Sequence, residues 1–113
     1  MNGETILEAI SAAAPALLDG ARKADETRRL PDEVVQLMRT AGVFRMAMPS
    51  AWGGPEASLW TQVRIVEALA RIDGALGWYA MIGSDGGFYS AFLDDGVGRA
   101  AWPDLDDITA GFI

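Results

Sequence analysis

Carboxylates are the only abundant reactive groups in this sequence. Sixteen acids stand against nine bases, and the 113 residues include no histidine and no cysteine. That inventory excludes thiolate nucleophiles, disulfides, Cys/His zinc sites and a Ser-His-Asp triad. Paired carboxylates remain, and these suit general acid/base work. Asp94/Asp95 and Asp104/Asp106/Asp107 are clustered, but both groups fall in expected turns, where capping accounts for them. Asp85 differs, because it ends an uncharged segment expected to be buried. A cap or turn role and a place in a pocket wall are both open to it. Gly83-Ser84-Asp85-Gly86-Gly87 fits neither G-x-G-x-x-G nor the P-loop pattern and lacks a strand–turn–helix setting, so it reads as a helix break rather than a phosphate cradle.

Four tryptophans are many for so short a chain. Large aromatic groups usually bury area. Core packing is the ordinary role for Trp78, and contact with a bound ring or acyl chain is the alternative. Trp60 and Trp102 read as core or interdomain residues. Pro49-Ser50-Ala51-Trp52-Gly53-Gly54-Pro55 reads as a rigid turn carrying a buried indole.

These groups must be held by a scaffold, and composition bounds what it is. The length fits one domain, and half of the residues are hydrophobic, enough for a core. A formal charge of −7 repels phosphate backbones, which argues against nucleic acid as a partner. The densest basic group, Arg22, Lys23, Arg28 and Arg29, is interrupted by Asp25 and Glu26 and reads as a solvated helix face. No apolar run approaches the roughly 18 residues of a membrane span. Ala9–Leu18 is apolar, but Glu4 and Glu8 precede it where a signal peptide needs positive charge. Lack of cysteine fits a cytoplasmic protein.

Apolar periodicity predicts helices. Ile6, Ile10, Ala13, Leu17, Ala21 and Ala24 form one stripe over 4–28, with a kink or break expected near 11–14 because Pro15 removes a backbone donor. Leu30-Pro31-Asp32-Glu33 opens a second helix, with Val34, Leu37, Met38 and Ala41 inward and Gly42 as its C-cap. Residues 43–58 are irregular and expected to pack down. Ser58 caps a helix over 59–72, with Leu59, Val63, Val66 and Ala70 inward and Glu67→Arg71 paired outside. Residues 74–84 predict a helix buried on all sides, with Gly74, Gly77, Ala80 and Gly83 forming a smooth side for a close neighbour. Asp85-Gly86-Gly87 should break the pattern. Phe88–Leu93 resumes it, Asp94 caps a further segment, and Pro103 ends that segment at Trp102. Asp104–Asp107 form a turn, and 108–113 are β-prone. The sum is an all-α bundle of five to six helices, orthogonal or up-down, followed by the opening of a strand.

Several of these stretches, in this order, resemble the N-terminal domain of the acyl-CoA dehydrogenase superfamily. They are Ala-Asp-Glu-Thr-Arg-Arg (24–29), Leu-Pro-Asp-Glu-Val-Val-Gln-Leu-Met-Arg-Thr-Ala-Gly-Val-Phe-Arg (30–45), Met-Pro-Ser-Ala-Trp-Gly-Gly-Pro (48–55), Glu-Ala-Leu-Ala-Arg-Ile-Asp (67–73) and Gly-Trp (77–78). Together they cover nearly the whole chain, from about residue 5. The Phe-Arg, the Gly-Trp and the final Ala-Gly-Phe look more like the flavin-dependent monooxygenase branch. Some members of that branch use a histidine near this region, and this chain has none.

The resemblance implies a helical domain over 1–107 and, at 108–113, the start of a truncated middle β domain. A C-terminal helical bundle would follow. It implies a small-molecule substrate, FAD or FMN bound mainly by the absent domains, no metal, a homotetramer when full-length, and a partner flavin reductase. No catalytic residue of the family maps onto this chain. The segment Trp78–Asp85 corresponds to the wall of the substrate cavity. Trp78, Met81, Ile82 and Asp85 should share a helix face with Ser84 close by, and Trp78, Met81 and Ser84 are expected to face the cavity. The leading reading is the substrate-cavity domain of a ring-hydroxylating monooxygenase, inactive alone. An acyl-CoA dehydrogenase acting on a thioester with FAD is the alternative within the family, and a stand-alone helical interaction module is the alternative outside it. The family reading expects an apolar patch left bare around Gly74–Gly83 or Trp60/Trp102.

Overall fold

The computed structural model describes residues 1–108, so the β-prone 109–113 lie outside the described residues. Six α-helices and two single turns of 3₁₀ helix follow one another, with no strand among the described residues. Helix α1, Gly3–Thr27, begins with a reciprocal cap in which Asn2 accepts from the Thr5 N–H and the Thr5 hydroxyl accepts from the Asn2 N–H, each at 3.0 Å. It continues unbroken past Pro15, so the break expected near 11–14 does not occur. Pro15 and Ser11 are both exposed, and water can reach the Ser11 carbonyl that lost its donor. The buried stripe of Ile6, Ile10, Leu17 and Ala21 holds both halves of the helix to one core.

Helix α2, Asp32–Ala41, follows Pro31, which takes the cap position just before the first turn, and ends at Gly42 with φ +85°. The chain then packs down without regular structure. Val43, Phe44, Met46 and Met48 are all at most 2 % exposed. The 3₁₀ turn Ser50–Trp52 projects the Trp52 indole to Asp95, with Nε1 donating to Oδ1 at 2.6 Å. Trp52 is half-buried rather than buried.

Helix α3, Leu59–Ile72, is capped by Ser58, whose hydroxyl accepts from the Thr61 N–H at 3.2 Å. Its inward face is not the expected one. Ile65 and Leu69 are fully buried, whereas Leu59 is 75 % and Val63 49 % exposed, Ala70 is exposed and Val66 half-buried. The helix carries two apolar stripes, and periodicity alone cannot say which one its neighbours cover. The outer Arg71–Glu67 pair is present at 2.8 Å.

A single residue, Asp73, joins α3 to α4, Gly74–Gly83, and its carboxylate accepts from the Ala75 N–H at 2.9 Å. The expectation that α4 is buried all round needs correction. Leu76, Gly77, Ala80 and Gly83 are buried, but Trp78 is 61 % exposed, with Tyr79 and Met81 also outside. The glycine side does receive close neighbours at Gly77, which lies against Ala70, and at Gly83, which lies against the Phe44 ring. Gly74 faces open space.

Asp85-Gly86-Gly87 does not interrupt helix formation. These residues open α5, Asp85–Tyr89, and the break falls one residue earlier, at Ser84. Gly87 is needed there because a Cβ would come within 2.5 Å of the Ala47 backbone. A 3₁₀ turn, Ser90–Phe92, leads to α6, Asp95–Ala101, which Asp94 caps through the Gly96 N–H at 3.0 Å. In the acidic turn that follows, Asp106 receives both Nε and a terminal nitrogen of Arg45 at 2.8 Å each, which ties this stretch to the loop after α2. The core lies among α1, α2, the 43–48 loop, the Ile65/Leu69 side of α3 and the glycine side of α4.

Candidate functional site

The side of α3 that the core leaves uncovered forms the site. Leu59, Val63 and Val66 on α3 face Met81 near the end of α4 and Phe88 on α5, with Met46 and Ala47 of the loop closing one end. Between them is an open cavity of about 500 Å³, within the usual size range for small-ligand sites. Helix α5 follows α4 directly after Ser84 and brings Phe88 to the cavity wall.

Four polar residues enter this apolar wall, and three are engaged. The Ser84 hydroxyl donates to the Met81 carbonyl at 3.3 Å and is nearly buried. The Gln62 amide donates to the Ala57 carbonyl at 2.8 Å. Glu67 accepts from Arg71 at 2.8 Å. The Asp85 carboxylate has no hydrogen-bond or ion-pair partner among the described residues, and burial pushes its carboxyl above the ordinary value. It caps no described backbone N–H, but of the cap or turn role considered for it the turn part holds, because it stands in the first turn of α5, where a helix favours negative charge.

The three candidates from the sequence fall in two places. Met81 and Ser84 line the main cavity together. Trp78 lines a neighbouring groove of about 230 Å³ with Tyr79, Ile82, Gly83 and Ile108. The expected single face of Trp78, Met81, Ile82 and Asp85 is therefore split, with Met81 and Asp85 on one side and Trp78 and Ile82 on the other. Leu59, Val63, Val66 and Phe88 were not foreseen as wall residues. The second apolar stripe of α3 was the available signal for the first three.

The cavity also sets what it can hold. It offers no cation and two carboxylates, so its residues do not fit the phosphate-bearing part of a flavin. They fit an apolar body with a polar group placed near Asp85. No group of three or more potential metal-ligating acids occurs among the described residues. No helix among them is long and apolar enough to cross a membrane.

Comparison with known proteins identifies relatives of this helical architecture. The oxygenase subunit HsaA of a flavin-dependent monooxygenase from Mycobacterium tuberculosis is 28 % identical over 101 residues, covering 89 % of this chain and 26 % of the relative. Indole-3-acetate monooxygenase from Pseudomonas putida is 28 % identical over 104 residues, covering 87 % and 27 %. A crystal structure of the M. tuberculosis HsaA monooxygenase superposes with a TM-score of 0.84 at 27 % identity, over 94 % of this chain and 28 % of that one. The chain thus spans about a quarter of the length of the curated relatives it matches. The family model for the acyl-CoA dehydrogenase N-terminal domain matches residues 4–96. The all-α architecture, the capped helix order and this match agree: the chain belongs to the acyl-CoA dehydrogenase N-terminal domain family.

Proposed function

We propose that this chain supplies the substrate-facing wall of a flavin-dependent monooxygenase that hydroxylates an aromatic or related ring. The observation that carries the reading is the open apolar cavity between α3, α4 and α5, walled by methionine, valine and phenylalanine. Its side chains bind and orient a ring and exclude water from it, and Met81 and Ser84 belong to that wall. Trp78 borders the adjoining groove and contributes an indole face to a ligand that extends there. Relatives named as a flavin-dependent monooxygenase, an indole-3-acetate monooxygenase and a p-hydroxyphenylacetate 3-hydroxylase support this choice over a thioester-oxidising dehydrogenase. So does shape, since a thioester needs a long narrow slot and a ring a wider one.

Flavin, FAD or FMN, supplies the oxidising chemistry when bound. The cation-poor cavity supports the reading that its phosphates are held by parts of the enzyme other than this chain. The same proposal includes a separate flavin reductase, in line with relatives named as oxygenase components, together with a cytoplasmic homotetramer. Fluorescence of the chain's tryptophans, titrated with para-ethylphenol, butyryl-CoA and FMN, tests the reading. Saturable binding is expected for the phenol alone. Tighter binding of butyryl-CoA than of the phenol sinks the ring reading, and sub-micromolar FMN binding sinks the division of labour.

A further inference from the structure

We propose that Met81 is an oxidation site in the cavity wall: hydrogen peroxide converts its thioether to the sulfoxide, and the wall then loses affinity for an apolar ring. The consequence for binding rests on the cavity being a ring site, as proposed above, whereas the oxidation itself does not. Access separates the sulfurs. The chain has five methionines. Met38, Met46 and Met48 are at most 2 % exposed. Met1 is exposed, but it lies against Gly42 and does not line the cavity. Met81 is 44 % exposed and does line it. Met46 borders the same cavity at its closed end, yet it belongs to the core. Two methionines of one wall therefore differ sharply in access, and an oxidant entering from solvent meets Met81 first.

The step needs peroxide alone. A sulfur lone pair of Met81 attacks one peroxide oxygen, the O–O bond breaks, an S–O bond forms, and water departs with both protons. Sulfur is oxidised by two electrons and peroxide is reduced by two. A flexible apolar side chain thereby becomes a polar one. The wall has little with which to satisfy the new oxygen. The Ser84 hydroxyl has committed its one proton to the Met81 carbonyl at 3.3 Å, and the Gln62 amide donates to the Ala57 carbonyl at 2.8 Å. No cation lines the cavity. Water satisfies the sulfoxide instead, and an apolar ligand that strips this water cannot replace its hydrogen bonds.

The full chain is incubated with hydrogen peroxide, and peptide mass spectrometry follows the gain of one oxygen at each methionine. Met81 is expected to oxidise about tenfold faster than Met46 or more, since access governs susceptibility. Saturating para-ethylphenol should slow oxidation of Met81 and leave that of Met1 unchanged. By calorimetry the oxidised chain should bind para-ethylphenol about tenfold more weakly than the untreated chain. Methionine sulfoxide reductases A and B together should restore that affinity. In Met81→Leu, which keeps the volume but has no sulfur, peroxide should leave the variant's own affinity unmoved. Oxidation of Met81 no faster than that of Met46 overturns the inference, whatever the cavity binds. Unchanged affinity once Met81 is oxidised, or a loss that persists in Met81→Leu, overturns it and leaves the ring cavity standing. If para-ethylphenol fails to saturate the untreated chain, the ring-site reading falls and the effect on binding falls with it, while the oxidation map still decides the site. The map and the reductase rescue need no variant, so the test survives poor folding of Met81→Leu.

Discussion

Two glycines three residues apart on α4 should respond oppositely to the same substitution. At Gly77 an added Cβ would sit 2.7 Å from the Ala70 Cβ, 3.1 Å from its Cα and 3.2 Å from its amide nitrogen. Carbon atoms prefer separations of about 3.5–4.0 Å, so the overlap approaches 1 Å. Ala70 has no torsion that could swing its methyl aside, and the other two atoms are helix backbone. Relief requires α3 and α4 to move apart, and forced overpacking of this kind costs about 1–3 kcal/mol. Alanine's better helix propensity returns about 1 kcal/mol at most. The net expectation for Gly77→Ala is a loss of about 1 kcal/mol, or a melting temperature lower by about 4–8 °C. At Gly74 nothing lies within 4 Å of the added atom and φ is not positive, so Gly74→Ala should gain about 0.4–1 kcal/mol. Urea unfolding followed by far-ultraviolet circular dichroism measures both variants in the same chain. If Gly77→Ala proves as stable as Gly74→Ala, α4 does not press its glycine side onto α3 as described.

Other substitutions test the capping, the charge tether and the half-buried Asp85 carboxylate. Ser58→Ala removes the cap of α3 and should cost about 1 kcal/mol in urea unfolding, and a neutral result argues against the Ser58–Thr61 bond. The Arg45–Asp106 pair has side chains 27 % and 22 % exposed, between surface and buried cases. A double-mutant cycle with Arg45→Met and Asp106→Asn should therefore give a coupling of about 1–2 kcal/mol, and a coupling near zero would show that the pair does not hold the acidic turn. For Asp85 the direction of the pH effect follows from burial, which raises the carboxyl above its ordinary value of 3.8 in the folded chain. The folded state then binds a proton more readily than the unfolded state. The penalty for the ionised form is absent below the unfolded value and grows as pH rises through the folded one. Asp85→Asn should melt above the unsubstituted chain at neutral pH, with the gap closing in acid, and a gap independent of pH refutes the assignment.

The scaffold was largely legible because its signals are local. Ser58, Asp94 and Gly42 mark helix ends through their own side chain or backbone freedom, and each ends or begins a helix where expected. What the sequence could not resolve was orientation. The α3 segment offers Leu59, Val63 and Val66 on one stripe and Ile65, Leu69 and Ile72 on another, both apolar enough for a core. The choice belongs to the packing of α1 and α4 against it, which no property of α3 encodes. Asp85-Gly86-Gly87 misled for a related reason. Two glycines weaken a helix in isolation, but here Gly87 lets the chain lie against Ala47, and tertiary contact outweighs propensity. The site inherits these gaps. Met81 and Ser84 were proposed from the family resemblance together with helical spacing, whereas the opposite wall required knowing which side of α3 stays open.

The same residues explain why a domain of this size leaves so much apolar surface outside its core. Leu59, Val63, Trp78, Met81, Phe88 and Phe92 are all exposed while smaller groups such as Val34, Ala41 and Ala80 fill the interior. A chain selected only to fold would place its largest apolar side chains where they exclude most water. Here they gather along the outer side of α3 and α4 and over α5 and the turn after it. Within that area the wall contains Asp85, half-buried in the first turn of α5 and without a side-chain partner among the described residues. Exposed apolar area alone would fit any covering surface. Apolar area arranged around a cavity of about 500 Å³ also suits a bound apolar body of ligand size. That arrangement is why the proposed function lies on the side of the domain that its core does not use.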